Sequence, residues 1–112
     1  MKLPNAHRAQ IERGKITDYL LSLVNPRSRA KADFFLSFGF SRDRQEEFVK
    51  ALKAHAASYE VARVVETAYG PRYHVDGALE TPDGRNPVIR TVWQTDLGST
   101  YPRFITAYPR RR

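Results

Sequence analysis

The chain has 112 residues, 41% of them hydrophobic, with a formal net charge of +7 and an isoelectric point near 10.1. That length implies one domain, large enough to bury a core without staples. The absence of cysteine excludes disulfides and thiolate metal sites.

No apolar run approaches the ~20 residues that a spanning helix needs. The opening MKLPNAHRAQ lacks the apolar stretch of a secretory signal. The expectation is therefore a soluble, cytoplasmic protein with no membrane partner. A basic domain suits a polyanionic partner: nucleic acid, an acidic membrane surface or an acidic protein. The excess is uneven. Residues 1–58 hold eleven Lys and Arg against six Asp and Glu, and residues 59–112 hold eight against six.

The segment KLPNAHRAQIERG reads as an irregular opening punctuated by Pro4 and Gly14. KITDYLLSLV is a first helix, with Ile16, Tyr19, Leu20 and Leu23 on one face. NPRSRAKADFFLSFGF reads as a second, with Asn25 as N-cap, Pro26 at the first helical position and Gly39 as the stop. Its apolar stripe is Ala30, Phe34, Phe35 and Phe38, and Arg27 and Lys31 share another face. SRDRQEEFVKALKAHAAS is a third, capped by Ser41, with acids early and Lys50 and Lys53 late, as the helix dipole favours. Phe48, Leu52 and His55 face its buried side.

After Ser58 the apolar spacing becomes strand-like. YEVARVVETA is a first strand, followed by YGP as turn chemistry. RYHVDGALE alternates Tyr73, Val75, Gly77 and Leu79 against Arg72, His74, Asp76 and Ala78. TPDGRNP is a loop; VIRTVWQT and RFITAYP are the last two strands, joined by DLGSTYP. Short connections favour an antiparallel meander. The fold class is α+β: three N-terminal helices packed on one face of a C-terminal four-stranded antiparallel sheet. Residues 1–58 are mainly helical, 59–109 form the sheet, and 110–112 are a flexible basic tail.

Strict alternation splits the final strand into Phe104, Thr106 and Tyr108 against Ile105 and Ala107. The apolar Ile105–Ala107 side suits the helices, leaving Thr106 and Tyr108 open. In the preceding strand Ile89 and Trp93 are the more core-like residues. Arg90 is then favoured over Thr91 as the neighbour of Thr106 on the open face.

The pieces KLPNA, DYLL, KADFFLSFGF, YGPRYHVDG, RTVW and ITAYP together resemble a small uncharacterised bacterial family that opens with KLPN and closes with RTVW and a TAYP strand. The helices-then-strands layout is in turn similar to the barnase–EndoU–colicin–RelE type of ribonuclease toxin, often held by an acidic antitoxin or immunity protein. That resemblance implies RNA cleavage without metal or cofactor: the 2′-OH attacks its own phosphate to leave a 2′,3′-cyclic phosphate.

On that reading Arg90 clamps the phosphate with its planar fork, Lys31 adds a cation, Thr106 bonds a phosphate oxygen, and Tyr108 stacks a base or donates a proton. Arg72, Thr91, Arg27 and Phe104 extend RNA binding, and Lys2 and Asn5 close one side of the groove. The position of His74 is commonly apolar in this pattern, so no role falls to it. His7 sits in the irregular opening, and His55 packs on its helix. No spacing of His, Asp and Glu matches a metal site. Two other readings stay open: a non-enzymatic RNA- or DNA-binding module using Phe104 and Tyr108 for stacking, and an interaction protein that docks an acidic partner.

Overall fold

A computed structural model of the chain describes residues 1–110. Three helices pack against one face of a four-stranded antiparallel sheet in the simple order β1-β2-β3-β4. The strands are β1 (Val61–Thr67), β2 (Gly70–Ala78), β3 (Val88–Gln94) and β4 (Arg103–Pro109). This is the α+β architecture that the change of apolar period at Ser58 predicts.

The first helix, α1, is an α turn at Arg13–Lys15 that widens into a π turn over Ile16–Leu20. The Leu21 N–H closes the wide turn on the Ile16 carbonyl at 2.8 Å. The widening has a packing reason. Ile16, Leu20 and Leu21 are all fully buried, and spacings of four and five fall on one side only in the wider turn. The helix therefore stops before Leu23 and Val24, which are 44% and 90% exposed, instead of running to residue 24 with Leu23 on its buried face.

The second helix also starts later than its cap chemistry suggests, as α2 (Arg29–Ser37). Asn25 fastens the loop: its Nδ2 donates to the Asp18 carbonyl at 3.1 Å and its Oδ1 accepts the Arg27 N–H at 3.0 Å. Asn25 thus ties down the end of α1 and caps a turn, and Arg27 lies in that turn, exposed, rather than on a helix face with Lys31. Ala32 and Phe35 are buried and Ala30 is exposed, because the later start rotates the apolar stripe. Ser41 does act as a cap, accepting the Asp43 N–H at 3.1 Å. The 3₁₀ turn Arg42–Arg44 then leads into α3 (Gln45–Ser58), which buries Phe48, Leu52 and His55.

The opening residues are less irregular than their composition suggests, because they strap both edges of the sheet. Lys2 bridges Glu60 beside β1, with the Val61 N–H on the Met1 carbonyl at 2.7 Å. Gln10 pairs with the outer edge of β4, taking the Phe104 N–H and donating to the Pro102 carbonyl, both at 2.9 Å. Among the described residues, no helix is long and apolar enough to cross a membrane.

Register decides what each face carries. Alternation in β2 and β3 holds: Val75, Leu79, Ile89 and Trp93 are fully buried against the helices. In β4 strict alternation breaks. The pairing shifts between Val92 and Trp93, so that Val92 faces Thr106 while Trp93 faces Phe104, leaving Ile105 as an extra residue. Phe104 therefore turns into the core, 2% exposed and edge-on to Trp93 at 5.3 Å, beside fully buried Ala107. Phe104 is not an exposed stacking residue. Thr106 and Tyr108 keep the open face, across from Val92 and Arg90.

Thr91 is likewise not an RNA-binding residue, since it is fully buried at the centre of a closed polar chain. The indole N–H of Trp93 donates to its hydroxyl at 2.9 Å. The hydroxyl in turn bonds His55 Nδ1 at 3.1 Å, and His55 Nε2 bonds the Gly77 carbonyl at 3.1 Å. A carbonyl can only accept, so Nε2 carries the ring proton and Nδ1 accepts from Thr91. Every side-chain polar atom of this Trp93–Thr91–His55 network is satisfied, which is what makes its burial tolerable.

Two outcomes are expected. Thr91→Val keeps the shape and strands both neighbours, costing about 1–3 kcal/mol; a lower urea midpoint at unchanged slope is the readout. Burial holds the His55 pKa below its ordinary value of 6.5, the Gly77 and Ile89 backbone contacts and the Asp76 charge opposing weakly. As pH falls below that value, the unfolded chain takes up the proton first. The urea midpoint should therefore be at its full value above the ordinary value and fall as the solution is acidified.

Candidate functional site

Strand pairing lays the open face out in rows. Arg72, Gln94 and Arg103 form one; His74, Val92 and Thr106 the next; Asp76, Arg90 and Tyr108 a third. Each row spans two interstrand gaps, about 10 Å. Val92 is 4% exposed and forms the floor of the middle row.

At the β4 side of this floor, Lys31 reaches in from α2. Its ammonium donates to the Tyr19 hydroxyl at 2.7 Å and to Thr106 Oγ1 at 3.3 Å. It also lies 5.9 Å from the centre of the Tyr108 ring. An ammonium has three donors, so one remains after these two bonds. Burial raises the Tyr19 pKa, but hydrogen bonds from Lys31 and Thr106 and the charges of Lys31 and Lys15 outweigh it, leaving the phenol below its ordinary 10.0. A phenol held beside an ammonium exchanges protons more readily than a free tyrosine.

At the β2 side, Arg90 is largely buried, its side chain 11% exposed. It binds Asp76 with both arms, Nε at 2.6 Å and Nη2 at 2.8 Å, and its Nη1 donates to His74 Nδ1 at 3.1 Å. Arg90 stands on the open face, but its fork is already filled by a carboxylate. The hydrogen bond from Arg90 lowers the Asp76 pKa against burial, with the Arg90 and Arg110 charges adding to it. Arg110 belongs to this end of the sheet: its N–H bonds the Val88 carbonyl at 3.0 Å and its Nε lies 3.6 Å from Asp76. The remainder of the basic tail, Arg111 and Arg112, lies outside the described residues.

Arg72 uses Nε on Gln94 Oε1 at 3.1 Å and forms no salt bridge among the described residues. Arg63, the cross-strand partner of His74 on β1, is exposed and also without one.

The candidate residues thus divide. Lys31, Thr106, Tyr108, Arg90 and Arg72 meet on one face. Arg27 lies in the turn before α2. Lys2 bridges Glu60 at the β1 edge, with its ammonium on the Ser58 carbonyl at 3.1 Å, a full sheet width from Thr106. Asn5 precedes the 3₁₀ turn Ala6–Arg8, which packs against α3 on the covered side. Neither residue borders the Lys31–Thr106 cluster.

The sequence patterns single out no site role for Tyr19, His74 or Asp76. The alternation of β2 already groups His74 and Asp76 with Arg72, but no local pattern pairs Tyr19 with Lys31. Among the described residues, no three His, Asp or Glu side chains are grouped to hold a metal ion.

Comparison with known proteins adds a family and a fold. The DUF6883 family profile, described as a domain of unknown function, matches residues 2–111. No curated protein matches the sequence. Among solved structures, the chain is similar to one chain of a contact-dependent growth inhibition toxin–immunity protein complex from Klebsiella pneumoniae 342. The TM-score is 0.65 at 20% identity, covering 89% of this chain and 98% of that one. At that identity the likeness is one of fold.

The Lys31 contact has a direct spectroscopic consequence. In an ultraviolet pH titration, one of the six tyrosines should ionise below the ordinary value. Tyr19→Phe should remove that component, and Lys31→Met should move it back up.

Proposed function

We propose that this chain, which belongs to the DUF6883 family, is a toxin-type ribonuclease that cleaves RNA by 2′-OH attack without a metal and is neutralised by an acidic partner. The observation that carries the reading is the half-buried Lys31–Tyr19–Thr106 cluster on a basic sheet face, beside the Tyr108 ring.

A transphosphorylation needs a proton acceptor, a proton donor and fixed positive charge near the phosphate. The Tyr19 phenolate, held by the Lys31 ammonium, accepts the 2′-OH proton and becomes the phenol. The free N–H of Lys31 and the Thr106 hydroxyl hold a non-bridging oxygen. Tyr108, one row along, donates the proton that the departing 5′-oxygen takes. The 2′-oxygen bonds to phosphorus as the 5′-oxygen leaves, giving a 2′,3′-cyclic phosphate and a 5′-OH.

Two further facts support the class. The net charge of +7 favours a polyanionic substrate and an acidic binding partner. The fold is similar to that of a chain from a toxin–immunity complex.

The test is purified protein with end-labelled single-stranded RNA in EDTA. Cleavage to cyclic-phosphate ends is expected, with Lys31→Ala and Thr106→Ala each slower by roughly 10²–10⁴-fold while much of the RNA affinity persists. Intact RNA with retained binding would replace this reading by a non-enzymatic binding module. Neither cleavage nor binding would leave an acidic protein as the partner of the basic face.

A further inference from the structure

We propose that His74 presents a fixed Nε2–H to a phosphate oxygen at the β2 side of the Val92 floor, with Arg90 and Asp76 as its positioning residues. The substrate class rests on the ribonuclease reading above; the hydrogen-bonding assignment rests on geometry alone.

A guanidinium has five donors and no acceptor. The 3.1 Å contact between Arg90 Nη1 and His74 Nδ1 therefore has one polarity: Arg90 donates and Nδ1 accepts. An imidazole accepting at Nδ1 is neutral and carries its proton on Nε2. The donor is itself held, because Asp76 grips the other two arms of Arg90 at 2.6 and 2.8 Å. Asp76, Arg90 and His74 form a chain in which each member fixes the next, and Nε2 at its end has no partner among the described residues.

The surroundings keep the ring in that state. Burial, together with Arg90 and Arg63, lowers its pKa; Asp76 opposes, and Arg72 adds to the lowering. These same neighbours make the space by Nε2 attractive to an anion. Arg63 is the cross-strand neighbour of His74 and Arg72 lies two residues along its own strand, both without salt-bridge partners among the described residues. Thr106 faces His74 across Val92, about 10 Å between backbones, a span that a phosphate with its two side-chain donors fills. Arg90, by contrast, has no pair of free nitrogens for a phosphate. Its part is to select the tautomer of His74 by donating to Nδ1, much as second-sphere acceptors fix the tautomer of metal-bound imidazoles.

The test combines a spectroscopic and a binding measurement. Long-range ¹H–¹⁵N correlation spectra of the wild type should show His74 as the Nε2–H tautomer. Arg90→Lys, which keeps the charge and loses the fork, should give a tautomer mixture. A 2′-deoxy-substituted RNA hexamer, which cannot be cleaved, should shift the His74 Nε2 signal. His74→Ala should weaken the hexamer roughly tenfold, about 1.4 kcal/mol, and His74→Gln, which retains an N–H near the Nε2 position, should recover most of it.

An Nδ1–H tautomer in the wild type, or equal hexamer affinity in wild type and His74→Ala, would overturn the proposal. If the tautomer and the hexamer effect hold but the wild type leaves cleavable RNA intact, His74 stands as a phosphate donor and only the ribonuclease reading falls.

Discussion

One extra residue in the last strand governs both faces of the sheet. Without the bulge at Ile105, Phe104 would share the open face with Thr106 and Tyr108, and the core would lose the ring that packs edge-on to Trp93. With it, the same seven-residue strand delivers Phe104 and Ala107 to the helices and Thr106 and Tyr108 to solvent. A β-bulge re-aims side chains without interrupting the sheet. Here it reconciles the need for a large apolar anchor with the need for two polar groups beside Lys31. Gln10, bonded to the far edge of β4 at Phe104, holds the strand at its altered register.

Formal charge overstates what the open face offers an anion. Arg90 and Arg103 are each paired to an aspartate at 2.6 and 2.7 Å, and Arg110 leans on the same Asp76. Among the described residues, the cations left for an anion on this face are Lys31, Arg63 and Arg72. Arg90 is better described as a structural arginine whose surplus N–H disciplines a histidine. This separation of a rigid, compensated pair from free surface cations costs little desolvation. The buried guanidinium never lacks its carboxylate, and the free ones stay partly in water.

Much of this was legible in the sequence, and the failures have physical causes. Alternation in VIRTVWQT and RYHVDGALE put the right residues on each face of β2 and β3, and Ile89 and Trp93 pointed Arg90 outward. Alternation failed in RFITAYP because a bulge follows from pairing across the sheet, not from the strand's own pattern. The π turn at Tyr19 was hidden in a run that also satisfies ordinary helical spacing up to Leu20. Asn25 and Pro26 have the chemistry of a helix start, but the Asn25 side chain is drawn back to the Asp18 carbonyl. Thr91 looked like any strand threonine; only the packing of α3 shows that it links Trp93 to His55. The Tyr19–Lys31 contact joins two helices through a loop, and Lys31–Thr106 spans 75 residues, a separation at which no motif operates.

The strapping of both sheet edges by the first ten residues also sets an order of events. Met1 and Gln10 are synthesised before any strand of the sheet, and their partners Val61 and Phe104 only much later. Tyr19 and Lys31 likewise wait for Thr106. Contacts so distant along the chain form late, after the intervening loop has closed. The Lys31–Tyr19–Thr106 cluster is therefore absent from every nascent or unravelled form of the polypeptide, and it assembles only when segments far apart along the chain have been brought together.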